Sequence, residues 1–288
     1  MTELSICILT YNSKSYLRDC LDSIRAFPPK GEYEIIVADN NSTDGSLQML
    51  EEEYPEVQLI CNHENLGFTK PNNQMLHVAK GEFLLLLNPD TKLIEDCFNP
   101  QLDYLKAHPE VGICIPKVLN ADGSFQKQSR RGEPRPLEVF GYFTGLGKLF
   151  PNNKRLNGYL MSWLPEDEIA EVKAVSGSCM FIRRETWQAV GDLDETFFAY
   201  QEDSDYCIRA GKLGWKVVYL PISKIIHYGG KGGSGVKPWK SIVEWHRSYY
   251  LFYKKHYAKE YFFLFNWFYY FLMLLKLASA LVINLFKS

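Results

Sequence analysis

Five apolar residues in a row, Phe83 to Leu87, stop abruptly at Asn88-Pro89-Asp90. A run of that length, bounded by Gly81 and Pro89, is too short for an ordinary helix and reads as the strand Glu82 to Leu87, buried on both faces. Strands buried on both faces belong to parallel sheets, whose crossover helices cover the sheet above and below. The preceding chain has the matching rhythm. Leu4 to Thr10 reads as a strand, and Ser15 to Ala26 as a helix with Tyr16, Leu17, Leu21 and Ile24 on one face. Pro28, Pro29 and Gly31 make a turn before the strand Tyr33 to Asp39. A helix from Gly45 to Tyr54, a strand from Val57 to Cys61 and a helix from about Lys70 to Ala79 follow. The expected fold class is therefore α/β, with a mostly parallel central sheet.

Beyond Asp90 the rhythm breaks. Gly112 to Val118 reads as one more strand, whereas Asn120 to Leu160 is rich in Gly, Pro, Arg and Asn and reads as a loop or lid with short helices. Val172 to Arg183 and Val217 to Leu220 are strand candidates, with helices at Arg184 to Val190 and Asp203 to Leu213 between them. The end of the chain is different again. Tyr261 to Phe286 is almost wholly apolar and long enough to span a bilayer, yet Lys276 interrupts it. Asn266, Lys276, Ser279 and Asn284 share one side of a helical wheel, so three placements stand open: spanning a membrane, lying in its interface, or packing as a core or dimer helix.

Composition narrows the partners. A formal net charge of -2 gives no electrostatic reason to expect nucleic acid. The seven cysteines are scattered singly without a CxxC pair, which favours buried free thiols in a reducing cytosol over disulfides or a cysteine metal site. The N-terminus lacks a basic segment ahead of an apolar one, so no signal peptide is expected.

In an open parallel sheet, ligands bind beyond the carboxyl ends of the strands. Here those ends are Thr10-Tyr11-Asn12, then Asp39-Asn40-Asn41-Ser42-Thr43-Asp44-Gly45, then Asn88-Pro89-Asp90. Such residues also make turns and helix caps, and Ser42 to Asp44 are read that way. Asp39 ends the apolar run Ile35 to Ala38 and is placed to accept the imide N–H of a uracil or thymine ring. Asp90, at the mouth of a buried strand, suits a divalent cation that bridges a diphosphate. Glu202-Asp203-Ser204-Asp205 follows an aromatic stretch; by spacing alone it is either a helix N-terminus or the source of a general base. His227 precedes a glycine-rich segment, Gly229 to Gly235, whose N–H groups suit phosphate but lack the Walker A spacing. Gly67 reads as a close-approach glycine beside the ligand.

In order along the chain, several pieces together resemble the family 2 glycosyltransferases of the GT-A fold, most closely their rhamnosyltransferase-like branch. They are Ile8-Leu9-Thr10-Tyr11-Asn12, Val37 to Gly45, Asn65-Leu66-Gly67-Phe68, Asn88-Pro89-Asp90, Gly177 to Arg184, and Glu202-Asp203-Ser204-Asp205 with Arg209 and His227. The resemblance implies a Rossmann-like nucleotide-diphospho-sugar transferase fold. Residues 1–240 would form the catalytic domain, its nucleotide-binding half about 1–118 and its acceptor half about 119–240, with 241–288 as a helical, membrane-associating segment. It implies that Thr10, Tyr11, Asn12, Asp39 and Asn41 line the nucleoside pocket, and that Gly67, Asn72, Asn73 and Asn88 lie along the ribose and diphosphate. Asn88-Pro89-Asp90 stands where the family has its DxD motif, so Asp90 would be the main ligand of Mg²⁺ or Mn²⁺, with His227 second. Asp203 would deprotonate the acceptor hydroxyl, giving inversion at the anomeric carbon. Arg130, Arg131, Gly177, Ser178 and Glu202 are candidates for holding acceptor or phosphate.

The implied reaction moves a sugar from a dTDP-rhamnose or UDP-sugar donor to a glycan or lipid-linked acceptor, in cell-surface polysaccharide synthesis at the cytoplasmic face of the membrane. A homodimer is an additional expectation for the apolar tail. The QxxRW signature of processive synthases is absent, which favours adding one or a few sugars. The rival readings are a nucleotidyltransferase, which would be expected to carry a glycine-rich phosphate loop where this chain has Thr10-Tyr11-Asn12, and a non-catalytic membrane-bound scaffold of the same fold.

Overall fold

The computed structural model describes residues 2–150, 152–231 and 238–286. The first half alternates as the sequence leads one to expect: β1 (Leu4–Thr10), α1 (Lys14–Ala26), β2 (Tyr33–Asp39), α2 (Ser46–Glu53), β3 (Gln58–Cys61), α3 (Thr69–Val78) and β4 (Phe83–Leu87). There follow β5 (Thr91–Leu93), α4 (Phe98–Ala107), β6 (Val111–Leu119), β7 (Arg130–Arg131), α5 (Pro136–Thr144), α6 (Leu146–Leu149), β8 (Ala170–Glu171), β9 (Ala174–Val175) and β10 (Cys179–Arg183). The chain continues with α7 (Arg184–Val190), α8 (Glu202–Lys212), β11 (Lys216–His227), α9 (Pro238–His256) and α10 (Phe263–Leu285).

The main sheet runs β3-β2-β1-β4-β10-β6-β11-β5, with β8 paired to β11. Its first four strands are parallel and its core strands β1 and β4 are buried along their whole length. The second half departs from that pattern. β10 enters antiparallel between β4 and β6, pairing Cys179 with Leu87, so the start of β10 lies beside the carboxyl end of β4. β5 pairs antiparallel with the end of β11, setting Thr91 opposite His227. These two antiparallel joints bring residues 178 and 227 to the mouth of β4, where Asp90 sits.

Several sequence expectations change in detail. The predicted strand Val172 to Arg183 is two, β9 and β10, interrupted at Ser176-Gly177-Ser178. The predicted strand Val217 to Leu220 extends to His227, because a register shift between Tyr219 and Lys224 lets Pro221 sit at an irregularity rather than in a regular ladder. β5 and α4 lie in a stretch to which no element is assigned from sequence. The stretch from Asn120 to Leu160 is not only loop: Ser129, Arg130 and Arg131 are buried, and β7 pairs with β9 as a second small sheet. All seven cysteines are free thiols, buried except for Cys61.

Candidate active site

The carboxyl ends of β1, β2 and β4, the start of β10 and the start of α8 surround a cavity of about 400 Å³. Of the residues singled out from sequence, Tyr11, Gly67, Asn88, Asp90, Arg131, Gly177, Ser178, Glu202, Asp203 and His227 line it. No residue of α5 or α6 lines it; the wall is built by the two halves of the main sheet and by α8 and α9.

One wall centres on Asp90, which is 1% exposed. Its Oδ2 accepts the backbone N–H of Lys231 at 2.8 Å, and its Oδ1 lies 3.2 Å from His227 Nε2. Asn88 Nδ2 is 3.1 Å from the same imidazole nitrogen, and His227 Nδ1 is 2.8 Å from Gln126 Oε1. An amide oxygen only accepts, so Gln126 places the ring proton on Nδ1 and leaves the Nε2 lone pair facing Asp90. A carboxylate oxygen and an oriented imidazole nitrogen then converge, with a second partner fixing the tautomer as metal-binding histidines require. Among the described residues no group of three or more His, Cys, Asp and Glu is assembled for a metal. The glycine-rich segment loses Gly232 to Gly235 from consideration, since those residues lie outside the described ones.

The opposite wall is the first turn of α8. Asp203 Oδ2 accepts from Arg131 Nη2 at 2.6 Å and from the Gly177 N–H at 3.2 Å, while Oδ1 accepts the Ser204 N–H at 2.6 Å. Burial works against the charge of Arg131, but the adjoining Asp203 carboxylate more than offsets it and raises the guanidinium above its ordinary pKa. Glu202 is the contrasting neighbour. Burial, with the Asp203 charge adding to it, pushes its carboxyl up to about 8, and its Oε2 is buried without a hydrogen-bond partner. Burial beside the Asp203 carboxylate thus leaves Glu202 holding a proton near neutral pH, next to the hydrogen-bonded Asp203 and Arg131 side chains. Asp205 belongs to the scaffold: though burial opposes its charge, hydrogen bonds from His256, Lys255 and Arg209 hold its carboxyl down to about 2 and tie α8 to α9.

The β1 and β2 ends are stitched together. Asn12, at φ 50°, accepts the Thr43 N–H at 2.7 Å and donates its own N–H to Ser42 Oγ at 2.9 Å. Asp39 is 3% exposed; its Oδ2 accepts the Ser42 N–H, and its Oδ1 is buried without a hydrogen-bond partner. An unmet acceptor at that depth carries a free-energy cost, yet neither Asp39 nor Asn12 is among the residues that line the cavity. Gly67 has φ 86°, and a Cβ there would stand 2.3 Å from the Phe198 carbonyl oxygen, so the close approach it permits is to Phe198 as well as to the cavity.

Other candidates are placed elsewhere. Arg130 donates to the carbonyls of Leu164 and Pro165 and lies over the Phe125 and Tyr219 rings, away from the cavity lining. Asn73 spends its amide on Leu193 and Glu195, and Asn72 donates to the Phe68 carbonyl, so both act in securing α3 and its surroundings. Thr10 is fully buried against Ser13, and Asn41 is an exposed turn residue at φ 65°. Conversely, Tyr159, Lys240 and Trp245 enter the lining without a sequence signal, and Gln126, in the run Gln126 to Arg131 expected to hold phosphate or acceptor, instead orients His227. Tyr200 and Gln201 also line the cavity, both with positive φ, a paired conformation of non-glycine residues that costs on the order of 1–3 kcal/mol each and sets the entry angle of α8.

Comparison with known proteins adds independent findings. The family model described as glycosyl transferase family 2 matches residues 5–166. The chain is 29% identical over 260 residues to an N-acetylglucosaminyl-diphospho-decaprenol L-rhamnosyltransferase of Mycobacterium tuberculosis, covering 86% of this chain and 83% of that one. It is 24% identical over 231 residues to a low-salt glycan biosynthesis hexosyltransferase of Haloferax volcanii, covering 79% of this chain and 67% of that one. Among solved structures, S. aureus TarS 1-349 superposes with a TM-score of 0.55 at 19% identity over 84% of this chain. Mannosyltransferase PcManGT from Pyrobaculum calidifontis, in complex with GDP-Man and Mn²⁺, gives 0.57 at 17% identity over 88%. The chain spans 65% and 63% of those two structures, and at such identities the likeness is one of fold.

Proposed function

Because the chain belongs to glycosyl transferase family 2, and is a glycosyltransferase of the GT-A fold, we propose that it moves a sugar with inversion from a dTDP-rhamnose or UDP-sugar donor to a hydroxyl of a lipid-linked glycan, in cell-surface polysaccharide synthesis at the cytoplasmic face of the membrane. The observation that carries this reading is the convergence of Asp90 with His227 and of Asp203 with Arg131 on one cavity. The likeness to a rhamnosyltransferase over 86% of the chain supports the rhamnose donor and the lipid-linked acceptor.

Asp39 Oδ1 accepts the imide N–H of the base, while the stitched Asn12 and Ser42 turn fixes the wall beside it. The donor diphosphate lies toward Asn88 and Asp90. Asp90 and His227 would hold a divalent cation there, and one oxygen with one imidazole nitrogen suits Mn²⁺ better than Mg²⁺. When bound, the cation supplies charge compensation for the leaving diphosphate. Asp203 takes the proton of the acceptor hydroxyl as that oxygen bonds to the anomeric carbon and the bond to the diphosphate breaks, so one displacement inverts the centre. Arg131 holds the Asp203 carboxylate in place by its hydrogen bond, and the neutral Glu202 adds no second charge.

A panel of dTDP-rhamnose, UDP-glucose, UDP-N-acetylglucosamine and GDP-mannose, with and without Mn²⁺, tests the reading by thermal shift and donor hydrolysis. A dTDP or UDP sugar should stabilise the protein by mass action, more strongly with Mn²⁺. Stabilisation by GDP-mannose alone would remove the base assignment.

A further inference from the structure

Asn266 and Lys276 of α10 face the body of the protein, while a band of its apolar residues is exposed. Asn266 bonds to the Tyr253 hydroxyl and to the carbonyls of Ala258 and Tyr261, and Lys276 Nζ sits 3.8 Å from the centroid of the Phe143 ring and 3.7 Å from that of Trp245. These two anchors are ten residues apart, about 15 Å along the axis, so α10 lies against α9 and α5 over that length rather than leaving the body end-on. On the opposite side Phe263, Leu264, Trp267, Phe268, Phe271, Leu274, Leu275, Val282 and Leu285 are exposed. At 100° per residue these fall within an arc of about 140° that contains no charged residue. A second apolar foot stands beside it. Leu137, Phe140 and Phe143 are exposed on α5, and Leu149 and Phe150 follow at α6, 73% and 56% exposed.

Cations flank both: Lys148, Lys154 and Arg155 near α6, and Lys254 and Lys259 near the start of α10. Apolar faces bordered by lysine and arginine fit an anionic lipid surface, where the rings enter the acyl boundary and the cations meet the headgroups. Tyr159 and Trp245 line the cavity, and the exposed Tyr142 and Phe143 continue the aromatic surface from them.

We propose that α10 lies flat in the membrane interface with α5–α6 as a second foot, and that the aromatic shelf between them leads a lipid-linked acceptor from the bilayer to Asp203. The route to the acceptor rests on the function proposed above; the placement of α10 does not. The occupant is a lipid surface, and a second copy of the chain is the competing outcome.

The full chain is tested against vesicles of phosphatidylcholine with phosphatidylglycerol, and in membrane vesicles from expressing cells. Cysteines are introduced separately by Phe262→Cys and Asn284→Cys, at the two ends of α10 and off its apolar arc, with the exposed Cys61 reporting the side on which the catalytic body lies. In sealed vesicles with Cys61 outward, an impermeant maleimide should label both ends of α10 from that side. Labelling of one end only from the opposite side means a spanning helix and overturns the proposal. The double variant Leu149→Ser, Phe150→Ser should float with vesicles about tenfold less well, while its melting temperature and acceptor-independent donor hydrolysis stay at the parent values. Unchanged flotation removes the second foot. With acceptor embedded in vesicles, the same variant should raise the KM for acceptor and leave that for donor unaltered; an unchanged acceptor KM removes the shelf. If α10 cysteines instead cross-link between chains and vesicles fail to compete, a second copy covers the face and the membrane placement falls. Loss of donor hydrolysis in the parent protein would count against the transferase reading alone, because flotation and labelling need no sugar.

Discussion

The two walls of the cavity each carry a buried carboxylate, and they are compensated in different ways. Asp203 faces a guanidinium at 2.6 Å and two backbone N–H groups. Asp90 accepts a backbone N–H and faces an imidazole nitrogen whose tautomer is set by Gln126. A guanidinium brings a permanent charge, so the Asp203 carboxylate is compensated and held in place by what the protein itself provides. An imidazole lone pair beside a carboxylate is a donor set, which gains most when a cation arrives. On the function proposed above, the difference suits proton chemistry to one wall and diphosphate to the other.

The sharpest test of that division is Asp203→Asn. It should lower turnover by about 10³-fold, within the range for loss of a general base, while thermal shift by the donor persists. A loss of donor binding instead would move Asp203 to the other wall. Next, Arg131→Met leaves Asp203 buried without its guanidinium, and urea unfolding should show a loss of about 3–5 kcal/mol. Asp90→Ala should cost about 10²-fold in turnover, roughly 2.7 kcal/mol, together with the Mn²⁺ enhancement of donor binding. Retained metal-dependent activity would place the cation elsewhere. Gln126→Leu should weaken Mn²⁺ binding about tenfold and recover turnover at high Mn²⁺, because it removes the oxygen that orients the His227 ring and leaves Asp90 in place.

The smallest expected effect is a slope. The Glu202 carboxyl rises from an ordinary 4.5 to about 8 in the folded protein, so the folded state binds the extra proton between those values. Its contribution to stability is complete below the lower value and is lost as pH rises through the upper one. Melting temperature should therefore decline through that window, and Glu202→Gln should flatten the decline. An unchanged slope would show that Glu202 is not the proton holder.

How much of this was legible in the sequence differs between the walls. The strand β4 and Asp90 at its mouth were readable, because five apolar residues before a proline permit few alternatives. The resemblance supplied Asp203 and His227 as partners in one site. Neither spacing nor motif disclosed that Arg131, read as an acceptor or phosphate candidate, turns inward to Asp203, or that Arg130 beside it turns away to carbonyls and aromatic rings. Adjacent residues of a strand point to opposite faces, and which face is the site depends on β7 pairing with β9. Asn73 misled for a similar reason: an amide next to a predicted ligand loop serves Leu193, 120 positions away.

By itself the sequence determined the α/β rhythm, the polar strand ends, the apolar tail and its polar stripe, because these are set by local periodicity. Tertiary structure decided which partner each charge meets. The antiparallel entry of β10 brought Gly177 and Ser178 beside Asn88, the pairing of β5 with β11 brought His227 to Asp90, and the docking of α10 turned Lys276 toward Phe143 and Trp245. Charge and hydrogen-bond partners act over a few ångströms of space, and distance along the chain carries no record of them.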